Sequence, residues 1–110
     1  MKIDTTLTEA HIITIPDLGT NTANNQILWG VVVEDASLRF NKGDFCRTSL
    51  IQHMSSDIVV TANSCYQVIG PVTKIELPAH FIASIDAGQD PRLCLLHYNG
   101  KVRSIIPKAQ

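Results

Sequence analysis

The chain has little of what small catalytic or nucleic-acid-binding domains usually display. Aromatic residues make up 5 % of its 110 positions, so Ile, Val and Leu must fill most of any core. Neither sign of charge dominates: nine Lys and Arg stand against ten Asp and Glu. Nucleic-acid-binding domains usually show a basic balance or a basic stripe. Here only the tail, with Lys101, Arg103 and Lys108, is locally basic, and a solvated C-terminal face accounts for that. No run approaches the ~20 apolar residues that span a bilayer. The N-terminus, Met1-Lys2-Ile3-Asp4-Thr5-Thr6, lacks the long apolar segment of a secretory signal. Together with an odd number of unclustered cysteines, these absences predict a cytoplasmic protein without membrane contact.

Site chemistry is equally sparse. Zinc needs four convergent ligands, yet Cys46, Cys65, Cys94, His11, His53, His80 and His97 form no C-x-x-C, H-x-x-x-H or related pair. The cysteines read as small buried hydrophobes. None sits at an evident helix N-terminus, where a thiol pKa falls. Glu34, Asp35, Asp44, Asp57, Glu76, Asp86 and Asp90 fall mostly at strand ends and in turns, where Asp is favoured for local backbone reasons. There is no glycine-rich phosphate loop and no G-x-S-x-G. The expectation is a protein without catalytic residues, cofactor or metal.

What is present is a β-rich pattern on one domain, residues 1–110. Hydrophobic residues at 45 % argue for a globular fold and against disorder. The organising stretch is Gly43 to Pro71. It reads as a strand from Asp44 to His53, a four-residue loop at 54–57, a β-branched strand at 58–61, a turn at 62–64 and a strand at 65–69, closed by Gly70-Pro71.

Around it, residues 1–10 are polar and read as loosely ordered, followed by a short strand from His11 to Ile15. Residues 17–26 read as a surface loop rich in Asn and Thr. Ile27 to Glu34 is the strongest strand signal, nearly continuous in apolar residues and so central and covered on both faces. Gly30 within it marks a bulge or a close backbone approach. Val72 to Leu77 continues as a strand. Pro78 to Ala87, with Pro first and Gly88 just past the end, carries helix punctuation, and Phe81, Ile82 and Ile85 form its apolar stripe. Asn99-Gly100 between two apolar runs predicts a C-terminal hairpin over 93–98 and 101–106. The apolar run Leu93-Cys94-Leu95-Leu96 is expected to be buried on both faces or to lie in a subunit interface.

Arg39-Phe40, Gly43-Asp44, Thr48-Ser49, Thr61, Asn63-Ser64, Tyr66, Gly70-Pro71 and Leu77-Pro78 make a spaced pattern. It resembles that of small uncharacterised bacterial proteins carried by phages and integron-type mobile elements, over residues 29 to 91. The resemblance implies a setting and no activity, because its motifs are turn and strand residues.

The fold expected is α+β: a strongly bent antiparallel β-sheet, or a small partly open barrel, over 27–77, with one helix and a C-terminal hairpin. Edge strands in so small a sheet must be hidden or charged, and pairing with a second copy is one way to hide them, so a homodimer is expected. The leading functional reading is a non-enzymatic protein-binding module, in the setting of a mobile-element accessory protein. The alternative is a small β-barrel for single-stranded nucleic acid, which stacks bases on aromatics beside cations. A small-molecule site is a third reading. Trp29, Arg39, Arg47 and Tyr66 are the candidate partner-binding residues; the nucleic-acid reading requires both arginines and an aromatic on one exposed face.

Overall fold

A computed structural model describes residues 2–17 and 25–102. Seven strands form one sheet: β1 (Thr5–Thr14), β2 (Gln26–Asp35), β3 (Phe45–Arg47), β4 (Ile51–Ser55), β5 (Ile58–Thr61), β6 (Cys65–Val68) and β7 (Val72–Glu76). A 3-10 turn at Ala79–Phe81 leads into α1 (Ile82–Asp86), and α2 (Pro91–Val102) follows. The α+β class is as the sequence predicts. The strand order is β3-β2-β1-β6-β5-β4, with β7 also on β1.

The centre of this sheet is β1. One of its edges pairs antiparallel with β2 along its whole length. The other carries β6 over Thr5–Leu7 and β7 over Ala10–Thr14, both parallel. The sheet is therefore mixed rather than antiparallel, and it stays open rather than closing into a barrel. Residues 5–10, expected to be loosely ordered, are instead the first half of the central strand. Their Thr-rich polarity misleads because Thr5 is almost wholly buried and Leu7 fully so.

A bulge interrupts β1. Thr8 opposes Val31 and His11 opposes Trp29, so Glu9 and Ala10 together face Gly30. Glu9 takes φ 52°, unusual for a residue with a Cβ. Across the other edge, the chain between β6 and β7 breaks at Ile69-Gly70-Pro71, where Gly70 has φ 85°, a conformation glycine adopts without steric cost. β6 and β7 are thus two halves of one line beside β1.

Each face of β1 and β2 carries its own core. On one, Leu7, Ala10, Ile12, Leu28 and Val32 pack with Cys46, Ile51, Val59, Tyr66 and Val68, because the β4–β5 hairpin bends over that face. Thr48, between β3 and β4, fixes the bend: its N–H donates to Leu28 O (2.9 Å) and its Oγ1 accepts from Leu28 N–H (3.0 Å). The strand expected from Asp44 to His53 is broken at this point into β3 and β4. On the other face, Ile13, Ile15, Ile27 and Trp29 meet Leu77, Phe81, Ile85 and Cys94. Covering on both faces is what the apolar run from Ile27 predicts.

The stripe of Phe81, Ile82 and Ile85 faces this second core, as the sequence predicts. Gly88, at φ 103°, ends α1, and Gln89 N–H bonds back to Ser84 O at 3.0 Å. The C-terminal hairpin does not form: Asn99-Gly100 lies inside α2. Asp90 caps that helix, its Oδ1 accepting from Arg92 N–H at 2.8 Å, and Pro91 occupies the first helical position. Pro91, Cys94, Leu95 and Tyr98 fall on one helical stripe; Pro91 and Cys94 are buried, and Cys94, Leu95 and Tyr98 meet the second core. Leu93 and Leu96 are exposed, not buried on both faces. The second arm of the expected hairpin, from 103 onward, and the centre of the 17–26 loop lie outside the described residues.

Candidate interaction surface

The four candidate residues separate into two pairs on opposite faces of the sheet. Trp29 belongs to the helix-covered face and is buried; its ring stacks on Phe45 at 6.4 Å and meets His11 edge-on at 5.7 Å. Arg47 is paired with Trp29 across the β2–β3 ladder. Its Nε and Nη2 donate to the two Asp86 carboxylate oxygens, each at 2.8 Å, tying β3 to α1. The bidentate fork satisfies the guanidinium's strongest geometry.

Arg39 and Tyr66 come together elsewhere, where the loop after β2 crosses the first core. Asp35 organises this corner. Its Oδ1 accepts from Thr5 Oγ1 (2.9 Å) and from Ser37 N–H and Oγ, and its Oδ2 accepts from the N–H groups of Arg39 and Phe40, both at 2.7 Å. Arg39 in turn donates to Ser37 Oγ and Thr5 Oγ1, and its guanidinium sits 5.1 Å from the Phe40 ring centre. Burial by itself raises the Asp35 pKa, but the bonds from Ser37, Phe40, Thr5 and Arg39 outweigh it and hold the carboxyl well below the usual range.

Beneath Arg39, burial pushes the Cys46 thiol up to about 11 and also raises the Tyr66 phenol. The thiolate is the nucleophilic form of cysteine, so the burial that raises the Cys46 thiol works against nucleophilic character there. These bonds pin the 35–40 loop onto β1.

A cleft of about 290 Å³ opens between α1 and α2, lined by His80, Phe81, Ser84, Gln89, Cys94 and His97. It holds imidazoles, a hydroxyl and an amide around an aromatic ring. Its thiol is Cys94, whose pKa burial and then the nearby Asp90 raise. Among the described residues no group of three or more His, Cys, Asp and Glu is placed to hold a metal ion.

The feature that sequence reasoning missed is the outer edge of β7. β5 covers the outer edge of β6, and that ladder ends where Val68 N–H donates to Asp57 O at 2.8 Å. Past the Gly70-Pro71 break, β7 pairs with β1 alone among the described residues. Leu77 N–H donates inward to Thr14 O at 3.0 Å. Backbone groups alternate sides along a strand, so Thr73 and Ile75 also point inward. Val72, Lys74 and Glu76 point their N–H and C=O groups outward. Beside them lies a groove of about 260 Å³, floored by Ile12, Val59 and Val68 and flanked by Met54, Val72 and Lys74. Met54 (39 %), Ile69 (49 %) and Val72 (43 %) are exposed in this region. The sequence signal was Gly70-Pro71, which reads as the end of a unit when it is a break within one line of strand.

Comparisons with family models, with curated proteins and with solved structures each find no match. No helix among the described residues is long and apolar enough to cross a membrane.

Proposed function

We propose that this chain is a non-enzymatic protein-interaction module that takes up an extended segment of its partner along β7. The observation that carries the reading is the alternation at that edge: the backbone groups of Val72, Lys74 and Glu76 face outward beside an apolar groove. Unpaired edge groups are a template for an added strand. In this mode main-chain bonds supply affinity and pockets for alternate side chains supply selectivity. An antiparallel segment on β7 would run in the same direction as β5 and continue its line. The likeness to small proteins of mobile elements is in keeping with an accessory role of this kind. A nucleic-acid reading draws less support, since Arg39 and Arg47 lie on opposite faces and each is engaged with its own chain.

The test is selection of a displayed library of random peptides on the wild-type protein, with Lys74→Pro as counter-screen. Proline at an outward-facing edge position removes no bond to β1, and circular dichroism verifies that the variant keeps its fold. The reading expects enriched peptides that bind the wild type and lose binding to Lys74→Pro. Enriched peptides that bind both equally, or no enrichment, overturn it.

A further inference from the structure

The two charged outward residues of β7, Lys74 and Glu76, are opposite in sign, so an antiparallel copy of the strand can set each against the other. We infer that the strand taken up by β7 is β7 of a second copy, paired antiparallel about a two-fold axis through Ile75. This rests on the reading of β7 as a strand-accepting edge and names the occupant.

Two requirements select the register. The first is geometric. Among the described residues of β7, Val72, Lys74 and Glu76 are the ones whose backbone groups point away from β1, so the hydrogen-bonded positions of an added strand must fall opposite these residues. An axis through Ile75 meets this requirement at Lys74 and Glu76, and sets Val72 opposite the partner's Pro78, which offers a carbonyl but no N–H. Lys74 exchanges both N–H···O bonds with the partner's Glu76, Glu76 does the same with the partner's Lys74, and Ile75 faces its own copy in the intervening non-bonded pair.

The second requirement is charge. Lys74 and Glu76 stand two apart and project to the same face as the groove, where Lys74 lines the wall. The Ile75-centred register sets Lys74 against Glu76 on both sides of the axis. An axis through Lys74 would oppose two ammonium groups, and like charges directly across a ladder are destabilising. An axis through Thr73 would match Lys74 with Val72 and leave Glu76 opposite Gly70. Of these registers only the Ile75-centred one neutralises both charged side chains. An isologous contact of this kind closes on itself and stops at two copies. Charged residues on an edge usually discourage pairing; here their order along the strand discourages the other registers and permits one.

The experiment is light scattering after size exclusion on the wild type, on Lys74→Glu, on Glu76→Lys and on an equimolar mixture of the two variants. The inference expects the wild type at twice the 12.1 kDa chain mass. Each reversal sets like charges together and should scatter as a single chain. The mixture restores both opposite-charge pairs and should return to the doubled mass. A wild type that stays at 12.1 kDa overturns the inference. So does a dimer insensitive to both reversals, or variants that fail to pair when mixed. A single-chain wild type that still selects β7-dependent peptides overturns this inference alone. A dimer that also survives Lys74→Pro forms away from β7 and overturns this inference, while the peptide selection alone decides the reading of the edge.

Discussion

Gly30 of β2 packs against Leu7 of β1 so closely that a Cβ at position 30 would stand 2.9 Å from Leu7 Cβ and 3.2 Å from the Thr8 carbonyl oxygen. The approach exists because the β1 bulge sets Glu9 and Ala10 opposite this one residue. The bulge divides β1 into a half that pairs with β6 and a half that pairs with β7.

Gly30→Ala is expected to destabilise the protein by about 1–3 kcal/mol, the usual cost of overpacking a core. Urea denaturation measures it. Unchanged stability would mean that β1 and β2 relax apart here without penalty.

Asp35 links stability to acid. Its folded pKa is depressed, so its contribution is fully present above the unfolded value of 3.8 and drains away as pH falls from there toward the folded value. Asp35→Asn turns an acceptor into a donor facing N–H groups, and the loss at neutral pH should be about 1–2 kcal/mol, allowing for a half-exposed carboxylate. Urea titrations of both proteins should show a steady gap from neutral pH down to about 4, the unfolded carboxyl value, and a gap that narrows progressively below it. A gap constant throughout would show that the network stabilises through geometry rather than charge.

The cysteines should be unreactive in the native state. Cys46, Cys65 and Cys94 are all free and buried, and burial raises the thiols of Cys46 and Cys94. An aromatic disulfide reagent at mildly alkaline pH should label the folded protein slowly and the guanidinium-unfolded protein at once. Rapid labelling of the folded state would contradict the packing of both cores.

The Arg47–Asp86 pair couples β3 to α1, with side chains 29 % and 47 % exposed. A double-mutant cycle using Arg47→Met and Asp86→Asn should give a coupling of about 0.5–1 kcal/mol, at the upper end for partly exposed pairs because the contact is bidentate. Zero coupling would mark the pair as incidental to helix docking.

Much of this architecture was legible in the residues. The apolar run at Ile27, the helix stripe of Phe81 and Ile85 and the β-branched run at Ile58 each announce their own element. What misled was locally weaker than what the fold supplies. Thr5, Thr6 and Thr8 look like a polar tail until β2 and β6 flank them. Asn99-Gly100 is a strong hairpin signal, but Asp90-Pro91 starts a helix whose Cys94, Leu95 and Tyr98 find the second core, and that packing overrides a dipeptide preference. The candidate surface was the least legible part. The nucleic-acid reading needed Arg39, Arg47 and an aromatic on one face; the β2–β3 ladder sets Trp29 beside Arg47, while the loop after β2 carries Arg39 to Tyr66 on the other side. The free edge of β7 depends on β5 ending at Asp57, a pairing between distant segments that no local pattern encodes.

Residue-resolved amide exchange along β7, measured in dilute protein and again with a selected peptide bound, tests the edge most directly. The account predicts that Thr73 and Ile75 are protected in both states, while Lys74 and Glu76 exchange fast alone and become protected on binding. Lys74 and Glu76 amides that are already slow in the dilute chain, or that stay fast when the peptide is bound, would contradict it.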